Sequence, residues 1–157
     1  MKHMKKGYLV LAVMVLFQQV ILAGSADTAL DEGKKFLEEN AKEEGVVTLE
    51  SGLQYKILSE GEGAIPGPRD VVQVYYHGYF INGKEFDGAD IIRPPVYFRV
   101  NEVIKGWTEA LQLMPVGSVW EVYIPSDLAY GEKGSGSKIP PNSTLIFEME
   151  LVGILDI

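Results

Sequence analysis

Few side chains in this 157-residue chain could carry covalent or metal chemistry. Cysteine is absent and only two histidines occur, His3 and His77, which excludes a thiol nucleophile, a disulfide framework and cysteine-based metal sites. His77 has no second histidine and no serine–acid set to work with, so it is interpreted as a surface residue of a strand. Asn142-Ser143-Thr144 fits a glycosylation acceptor, whereas Gly134-Ser135-Gly136 lacks the continuation that a phosphate loop needs. We therefore predict no nucleophile, no metal site and no cofactor.

Aromatic side chains are the other candidates for function. Tyr76, Phe86, Trp107, Tyr130 and Phe147 recur in segments with few charges. Their simplest interpretation is core packing, and for Trp107 alone, on an apolar helix face, that interpretation would be preferred.

The composition of the chain limits the functions that it can have. The chain is 46% hydrophobic and 23% charged, and its length suits one domain with one core. Its formal net charge is -8, from 14 Lys+Arg and 22 Asp+Glu. Three of the lysines lie in the first 26 residues, so without that segment 11 cations face all 22 anions and the net charge is about -11. An acidic chain of this kind is not expected to bind nucleic acid.

Residues 1–26 have the features of a secretory signal peptide. Lys2, Lys5 and Lys6 precede a mainly apolar run that ends in small residues, and we predict cleavage near residues 23–26. The alternative is a retained inner-membrane anchor. The 16 residues from Tyr8 to Ala23 include two glutamines, whereas a bilayer span needs about 20 apolar residues. The signal peptide is favoured.

Residues 27–50 are predicted to form a polar helical linker. The segment from Asp27 to Glu44 is rich in charge, and only Leu30 and Leu37 fit a narrow apolar stripe before Gly45 ends the helix. A short polar helix is marginal in water. We expect it to be loosely attached, with partner binding as the alternative.

Residues 51–157 are predicted to be one α+β domain. Strands are expected at 53–58, 71–80, 85–87, 96–100, 119–124 and 144–155, with a hairpin turn at Asn82-Gly83. The one clear helix of the domain carries Val103, Trp107, Ala110, Leu111 and Met114 on a single face. Residues 125–143 form a long loop, a feature that is usually functional. Together these segments predict an antiparallel sheet around one short helix.

Five motifs give this domain its resemblance to a known family. They are Val74-Tyr-Tyr-His-Gly78, Asn82-Gly-Lys-Glu-Phe-Asp87, Glu102-Val-Ile-Lys-Gly-Trp107, Leu128-Ala-Tyr-Gly131 and Ile139-Pro-Pro-Asn-Ser-Thr-Leu-Ile-Phe147. In this order they resemble the FKBP-type peptidyl-prolyl cis-trans isomerases. The stretches at 45–56, 106–117 and 124–131 are most similar to the bacterial macrophage-infectivity-potentiator branch, and the resemblance covers about residues 36–157. The long N-terminal dimerisation domain of that branch is expected to be missing, so the mature protein is expected to be a monomer.

The resemblance implies an apolar cleft between sheet and helix. Trp107 would form its floor under a proline ring, and the backbone N–H of Ile104 would hold a substrate carbonyl. The walls and the polar rim would come from Tyr76, Phe86, Val103, Ile104, Phe147, Asp87 and Tyr130, with Val96 and Ile139 also contacting substrate. Strand alternation points Asp87 away from Phe86, so an irregular strand is expected there. The available partners for the Asp87 carboxylate are Tyr130 and Arg93.

The chain departs from the family pattern at Ile92, Val96, Ser135 and Lys138. Ile92 stands where the family often has an arginine, and Arg93 is its neighbour. These departures concern ligand affinity and sequence preference more than activity.

The resemblance implies rotation of X–Pro bonds in proline-containing polypeptides without a cofactor, and binding of macrolides of the FK506 and rapamycin type. The signal segment predicts export, most simply to a bacterial periplasm, with secretion or inner-membrane anchoring as alternatives. Two other functions are compatible with the same sequence. One is an exported chaperone or binding module with incidental isomerisation, and the other is an anchored adaptor that recruits partners through its acidic helix.

Overall fold

The computed structural model describes residues 26–89 and 94–156 of the chain. The predicted signal segment, apart from Ala26, and the Ile92–Arg93 pair lie outside these residues. Helix α1 spans Ala26–Asn40 and helix α2 spans Lys105–Leu111. The strands are β1 (Val46–Thr48), β2 (Gln54–Ser59), β3 (Val71–Phe80), β4 (Glu85–Ala89), β5 (Val96–Arg99), β6 (Val119–Ile124) and β7 (Leu145–Leu155).

The seven strands form one antiparallel sheet, in which six follow the order β1-β2-β6-β7-β3-β4 and β5 pairs with β3 outside that order. Strand β3 pairs with β7 along its whole length. On its other edge β3 pairs first with β5, at Val71–Val74, and then with β4, at Tyr76–Tyr79. The antiparallel α+β fold with a short helix, as predicted, is confirmed. Among the described residues no helix is long and apolar enough to cross a membrane.

The main core lies between the sheet and α2. Trp107, Ala110 and Leu111 of α2 pack with Val122 of β6 and Leu151 of β7. The helix is shorter than its apolar spacing predicts, since Val103 precedes it and Met114 lies three residues beyond its end. Met114 is nevertheless fully buried. We call this side of the sheet the α2 face.

Helix α1 covers the opposite side, the α1 face, and is firmly packed there. Phe36 is 1% exposed and clusters with Tyr123 and Ile146. Asn40 donates a 2.9 Å hydrogen bond to Gln54 Oε1, and Gln54 Nε2 donates to the carbonyl of Leu37 at 2.9 Å. The expectation of a loosely attached helix is therefore wrong. An apolar stripe does not mark the buried positions of this helix, because they are Gly33, Phe36 and Asn40 rather than leucines.

The segment after α1 also differs from the prediction. The helix ends at Asn40, and Val46–Thr48 pairs antiparallel with β2 instead of continuing a helical linker. Residues 125–143 are a loop that contains two short 3-10 helices, Ser126–Leu128 and Gly131–Lys133.

Candidate active site

An open cavity of about 480 Å³ lies on the α2 face, between the sheet and α2. Its floor and walls are largely aromatic and aliphatic, and its charged groups are two carboxylates. The lining residues are Tyr76, Phe86, Asp87, Phe98, Glu102, Val103, Ile104, Trp107, Tyr130 and Phe147.

Trp107 is held in a box of perpendicular rings. Its ring centroid lies 5.1 Å from that of Tyr76, 5.2 Å from that of Phe98 and 5.2 Å from that of Phe147, with interplanar angles of 80–88°. Edge-to-face contacts of this kind add to the free energy gained by burial. The indole is 4% exposed, and its Nε1–H has no acceptor among the described residues. A rigid apolar ring therefore lies at the base of the cavity.

A β-bulge brings Phe86 and Asp87 to the same cavity. Tyr79 pairs with Glu85 and Gly78 pairs with Asp87, so Phe86 is an extra residue in β4 with no partner in β3. In a regular strand these neighbours would point to opposite faces, but the extra residue turns both toward the α2 face. The irregular strand expected from the sequence is confirmed.

The absence of a side chain at Gly78 makes room for the bulged phenylalanine. A Cβ atom at Gly78 would lie 2.7 Å from Phe86 Cζ and 2.9 Å from Phe147 Cε1. Phe86 and Phe147 meet at 5.6 Å between centroids, at an angle of 86°. Any larger residue at Gly78 would push these two cavity walls apart.

Asp87 forms the polar part of the rim, and its hydroxyl partner differs from the expected one. Tyr76 donates its hydroxyl to Asp87 Oδ2 at 3.0 Å, and the N–H of Gly88 donates to Oδ1 at 3.0 Å. Lys138 Nζ lies 3.6 Å from Oδ1. The hydroxyl partner is thus Tyr76 rather than Tyr130, while Arg93 lies outside the described residues. Burial, followed by the bond to Asp87 and its charge, raises the pKa of Tyr76 to about 12, so its hydroxyl remains a donor at physiological pH.

The remaining edge of the cavity comes from the segment before α2 and from the long loop. Ile104 is the N-cap residue of α2, and its carbonyl accepts hydrogen bonds from the N–H groups of Trp107 and Thr108. Its own N–H donates no backbone hydrogen bond among the described residues. Tyr130, 40% exposed, faces the cavity from the loop. Apolar walls and a backbone donor therefore meet at this edge.

Eight of the ten predicted site residues line this cavity, and two do not. Val96 is half-buried in β5, and Ile139 is 3% exposed within the main core, but neither belongs to the lining. Phe98 and Glu102 also line the cavity and were not predicted from the sequence. Strand alternation could have indicated Phe98, since it shares a face with Val96 two residues earlier. No comparable pattern indicates Glu102, because its place in the lining depends on the 3-10 turn that precedes α2.

No group of three or more metal-ligating side chains occurs among the described residues. What the cavity offers is an aromatic floor, apolar walls, one carboxylate–hydroxyl pair and the backbone N–H of Ile104. These groups can bind and orient a small apolar ring beside a carbonyl.

Comparison with known proteins matches this arrangement to a family. The family model for FKBP-type peptidyl-prolyl cis-trans isomerases matches residues 63–152, and the model for the domain amino-terminal to that isomerase matches residues 6–57. A solved structure of a peptidyl-prolyl cis-trans isomerase from Pseudomonas syringae superimposes with a TM-score of 0.79 at 37% identity, and the match covers 87% of this chain and 100% of that one.

Two curated relatives are longer than this chain. The FKBP-type 22 kDa peptidyl-prolyl cis-trans isomerase of Escherichia coli is 58% identical over 124 residues, which are 79% of this chain and 60% of that protein. The outer membrane protein MIP of Legionella longbeachae is 51% identical over 123 residues, 78% of this chain and 53% of that protein. This chain thus spans little more than half the length of these relatives. It belongs to the FKBP-type peptidyl-prolyl cis-trans isomerase family.

Proposed function

We propose that this chain accelerates rotation about X–Pro bonds in proline-containing polypeptides. The observation that carries the proposal is Trp107, fixed by three perpendicular rings at the floor of an open cavity of about 480 Å³. A flat, rigid and apolar surface suits a proline ring, which has no N–H to satisfy. Family membership supports the same activity.

The mechanism needs no covalent step. Rotation of an X–Pro amide is slow because resonance is lost in the twisted state, at a cost of about 18–20 kcal/mol. The twisted amide is less polar than the planar one, so an apolar cavity disfavours the planar ground state relative to the transition state. A 1000-fold acceleration needs only about 4 kcal/mol of such differential stabilisation.

Orientation of the substrate comes from the rim. The N–H of Ile104 is available to a substrate carbonyl, and Phe86, Val103 and Phe147 would enclose the proline ring. Asp87, kept in place by Tyr76 and the N–H of Gly88, provides a fixed negative charge near the rotating amide. Val96 and Ile139 would contribute indirectly, since neither lines the cavity.

The same cavity supports binding of macrolides of the FK506 and rapamycin type. Its aromatic floor and open mouth are suited to a bulky apolar ligand that carries a carbonyl. Such a ligand would compete with proline peptides, so inhibition by it should be competitive.

We further propose that the protein is exported to the periplasm and assists folding there. The signal-like residues 1–26, with cleavage near residues 23–26, support this proposal, as does similarity to a relative named as an outer membrane protein. Residues 51–157 would be the catalytic domain. A monomer is the expected state because Phe36 of α1 packs against the chain's own sheet; sedimentation of the mature chain that gave mainly dimer would contradict this.

The direct test is an isomerisation assay on a peptide with a Leu-Pro bond, measured with the full chain. We expect acceleration that survives EDTA and is abolished by rapamycin. Absence of acceleration by a folded sample would refute the isomerase proposal. Loss of activity with EDTA that zinc or magnesium restores would instead refute the metal-free mechanism.

The rival is a chaperone that uses the same cavity for holding unfolded chains. Suppression of aggregation can be measured on a client that contains no proline. If Asp87→Leu abolished isomerisation but left this suppression intact, the two activities would be separable. If the wild type suppressed aggregation without any isomerisation, the chaperone would be the correct function.

A further inference from the structure

A side-chain pair on the α1 face spans the bulge that forms the cavity wall. His77 Nδ1 and Glu85 Oε1 are 2.8 Å apart, and both residues are partly exposed. His77 lies in β3 opposite Gly88 of β4, whereas Glu85 lies opposite Tyr79. The pair therefore joins β3 and β4 across the position where Phe86 is inserted.

Register explains why these two side chains can meet. Glu85 precedes the extra residue and Gly88 follows the bulge, and both positions lie on the α1 face. Between them, Phe86 and Asp87 lie on the α2 face, in the cavity. In a regular strand, Glu85 and Asp87 would point to the same face. If the bulge were lost while Asp87 stayed in the cavity, Glu85 would turn to the α2 face and its contact with His77 would be broken.

Gly88 leaves the space that the pair occupies. A Cβ atom at Gly88 would lie 2.6 Å from Glu85 Oε1 and 2.8 Å from His77 Nδ1. Gly88 is not among the glycines with positive φ, so alanine is compatible with the backbone there. Its methyl group would displace the carboxylate, which is the flexible end of Glu85, and break the contact.

Other groups around His77 favour the same arrangement. The ring of Tyr79 stacks on the imidazole at 6.3 Å, with an interplanar angle of 26°. Glu148 of β7 lies opposite His77 on its other side. The imidazole thus contacts the Tyr79 ring and the Glu85 carboxylate, and these two contacts favour an orientation with Nδ1 toward Glu85.

We propose that His77 and Glu85 are positioning residues, which hold the β4 bulge so that Phe86 and Asp87 both face the cavity. Partly exposed pairs contribute little to global stability, so the consequence falls on local geometry rather than on folding. His77 is a partly exposed residue of strand β3, as the sequence predicted, and the positioning role is assigned to it in addition. The positioning role rests on the proposed isomerase activity only for the part of the test that measures kcat/KM.

The test uses the full chain and four variants: His77→Ala, Glu85→Ala, the double variant and Gly88→Ala. Lys42→Ala is the matched control, since it removes another exposed pair, Lys42–Glu39 at 3.1 Å, on α1. We expect each test variant to lower kcat/KM for a Leu-Pro peptide roughly threefold. The double variant should be no worse than the single ones, because both remove one interaction.

Amide NMR spectra provide a readout that is independent of activity. In all four test variants the backbone signals of Phe86 and Asp87 should move, along with the indole signal of Trp107, whereas Lys42→Ala should leave them in place. Urea unfolding should change little in any variant. If the wild type proved inactive, the isomerase proposal would fail while these spectra still tested the positioning role.

Three results would overturn the positioning role. The first is unchanged Phe86 and Asp87 signals in Glu85→Ala. The second is additive loss in the double variant, which would mean that His77 and Glu85 act separately. The third is a loss of activity in each variant that equals its fraction of unfolded protein, which would mean that the substitutions act on folding alone.

Discussion

The hydroxyl of Tyr76 donates a 3.0 Å hydrogen bond to Oδ2 of Asp87, and both residues line the cavity above Trp107. One side chain thus has two roles, since the ring of Tyr76 also packs edge-to-face on the indole. The aromatic floor and the acidic rim are therefore parts of one connected arrangement. Substitutions at the rim can separate them.

Tyr76→Phe should weaken catalysis while preserving the ring contacts. The change removes one donor to a carboxylate, and we expect kcat/KM to fall roughly three- to tenfold and stability to fall by about 1–2 kcal/mol. Isomerisation rates and urea unfolding would measure the two effects. An unchanged kcat/KM in a folded variant would show that the hydroxyl does not orient Asp87.

Tyr130→Phe is the matched control at the exposed edge of the same cavity. The Tyr130 hydroxyl does not bond Asp87, so the loss of stability should stay below about 1.5 kcal/mol and below that of Tyr76→Phe. Affinity for a macrolide should nevertheless change, because Tyr130 faces the cavity. Calorimetric titration with rapamycin would check this, and equal affinity for variant and wild type would remove Tyr130 from the binding surface.

Asp87→Leu and Trp107→Ala should distinguish a residue that serves only the cavity from one that also stabilises the core. The Asp87 side chain is 42% exposed, so leucine should lower kcat/KM about tenfold or more and leave the fold intact. Trp107 is buried among three rings, and its truncation should cost activity and about 3–5 kcal/mol of stability. Thermal unfolding and rates at a temperature where both variants are folded would test this. If Asp87→Leu unfolded the protein as badly as Trp107→Ala, Asp87 would be structural.

Much of this site was predictable because its residues follow simple periodicities. Tyr76 lies on the face of β3 that alternation assigns to the interior, and Trp107 belongs to the apolar face of α2. The partners of Asp87 were not predictable in the same way. The bond from Tyr76 depends on a bulge that shifts register by one residue, and Lys138 reaches Asp87 from a loop whose path no local pattern determines.

The N-terminal helix shows the limit of hydrophobic patterns most clearly. Its buried positions combine one phenylalanine with glycine and asparagine, so the search for an apolar stripe found only the partly exposed Leu30 and Leu37. The contacts of Asn40 are to a glutamine in a strand that follows later in the chain. Such polar, long-range packing carries no short-range signature.

Phe36→Ala tests whether α1 is an integral part of the fold. Because Phe36 is 1% exposed and packs on Tyr123 and Ile146, truncation should lower the free energy of unfolding by about 3–5 kcal/mol. Lys35→Ala, at an exposed neighbouring position, should change it by less than about 0.5 kcal/mol. Urea denaturation of both variants is the measurement. A loss below about 1 kcal/mol for Phe36→Ala would return α1 to the status of a loosely attached helix.

A buried carboxyl group lies in β6, two residues before Tyr123. Glu121 is 4% exposed and accepts a 2.6 Å hydrogen bond from the Tyr123 hydroxyl. Burial raises the pKa of Glu121 above its ordinary value of 4.5, although the Tyr123 bond and Lys56 act in the opposite direction. Between pH 4.5 and the raised value, the folded chain therefore retains a proton that the unfolded chain has lost.

The sign of the pH dependence follows from this difference. The folded state binds more protons, so the contribution of Glu121 is most favourable below pH 4.5 and is lost as the pH rises through the raised pKa. Glu121→Gln cannot titrate, so its stability relative to wild type should increase from pH 4 to pH 7. Urea unfolding at several pH values would measure that difference, with the exposed Glu39→Gln as control. A difference that stayed constant or shrank as the pH rose would mean that Glu121 is ionised in the fold at little cost.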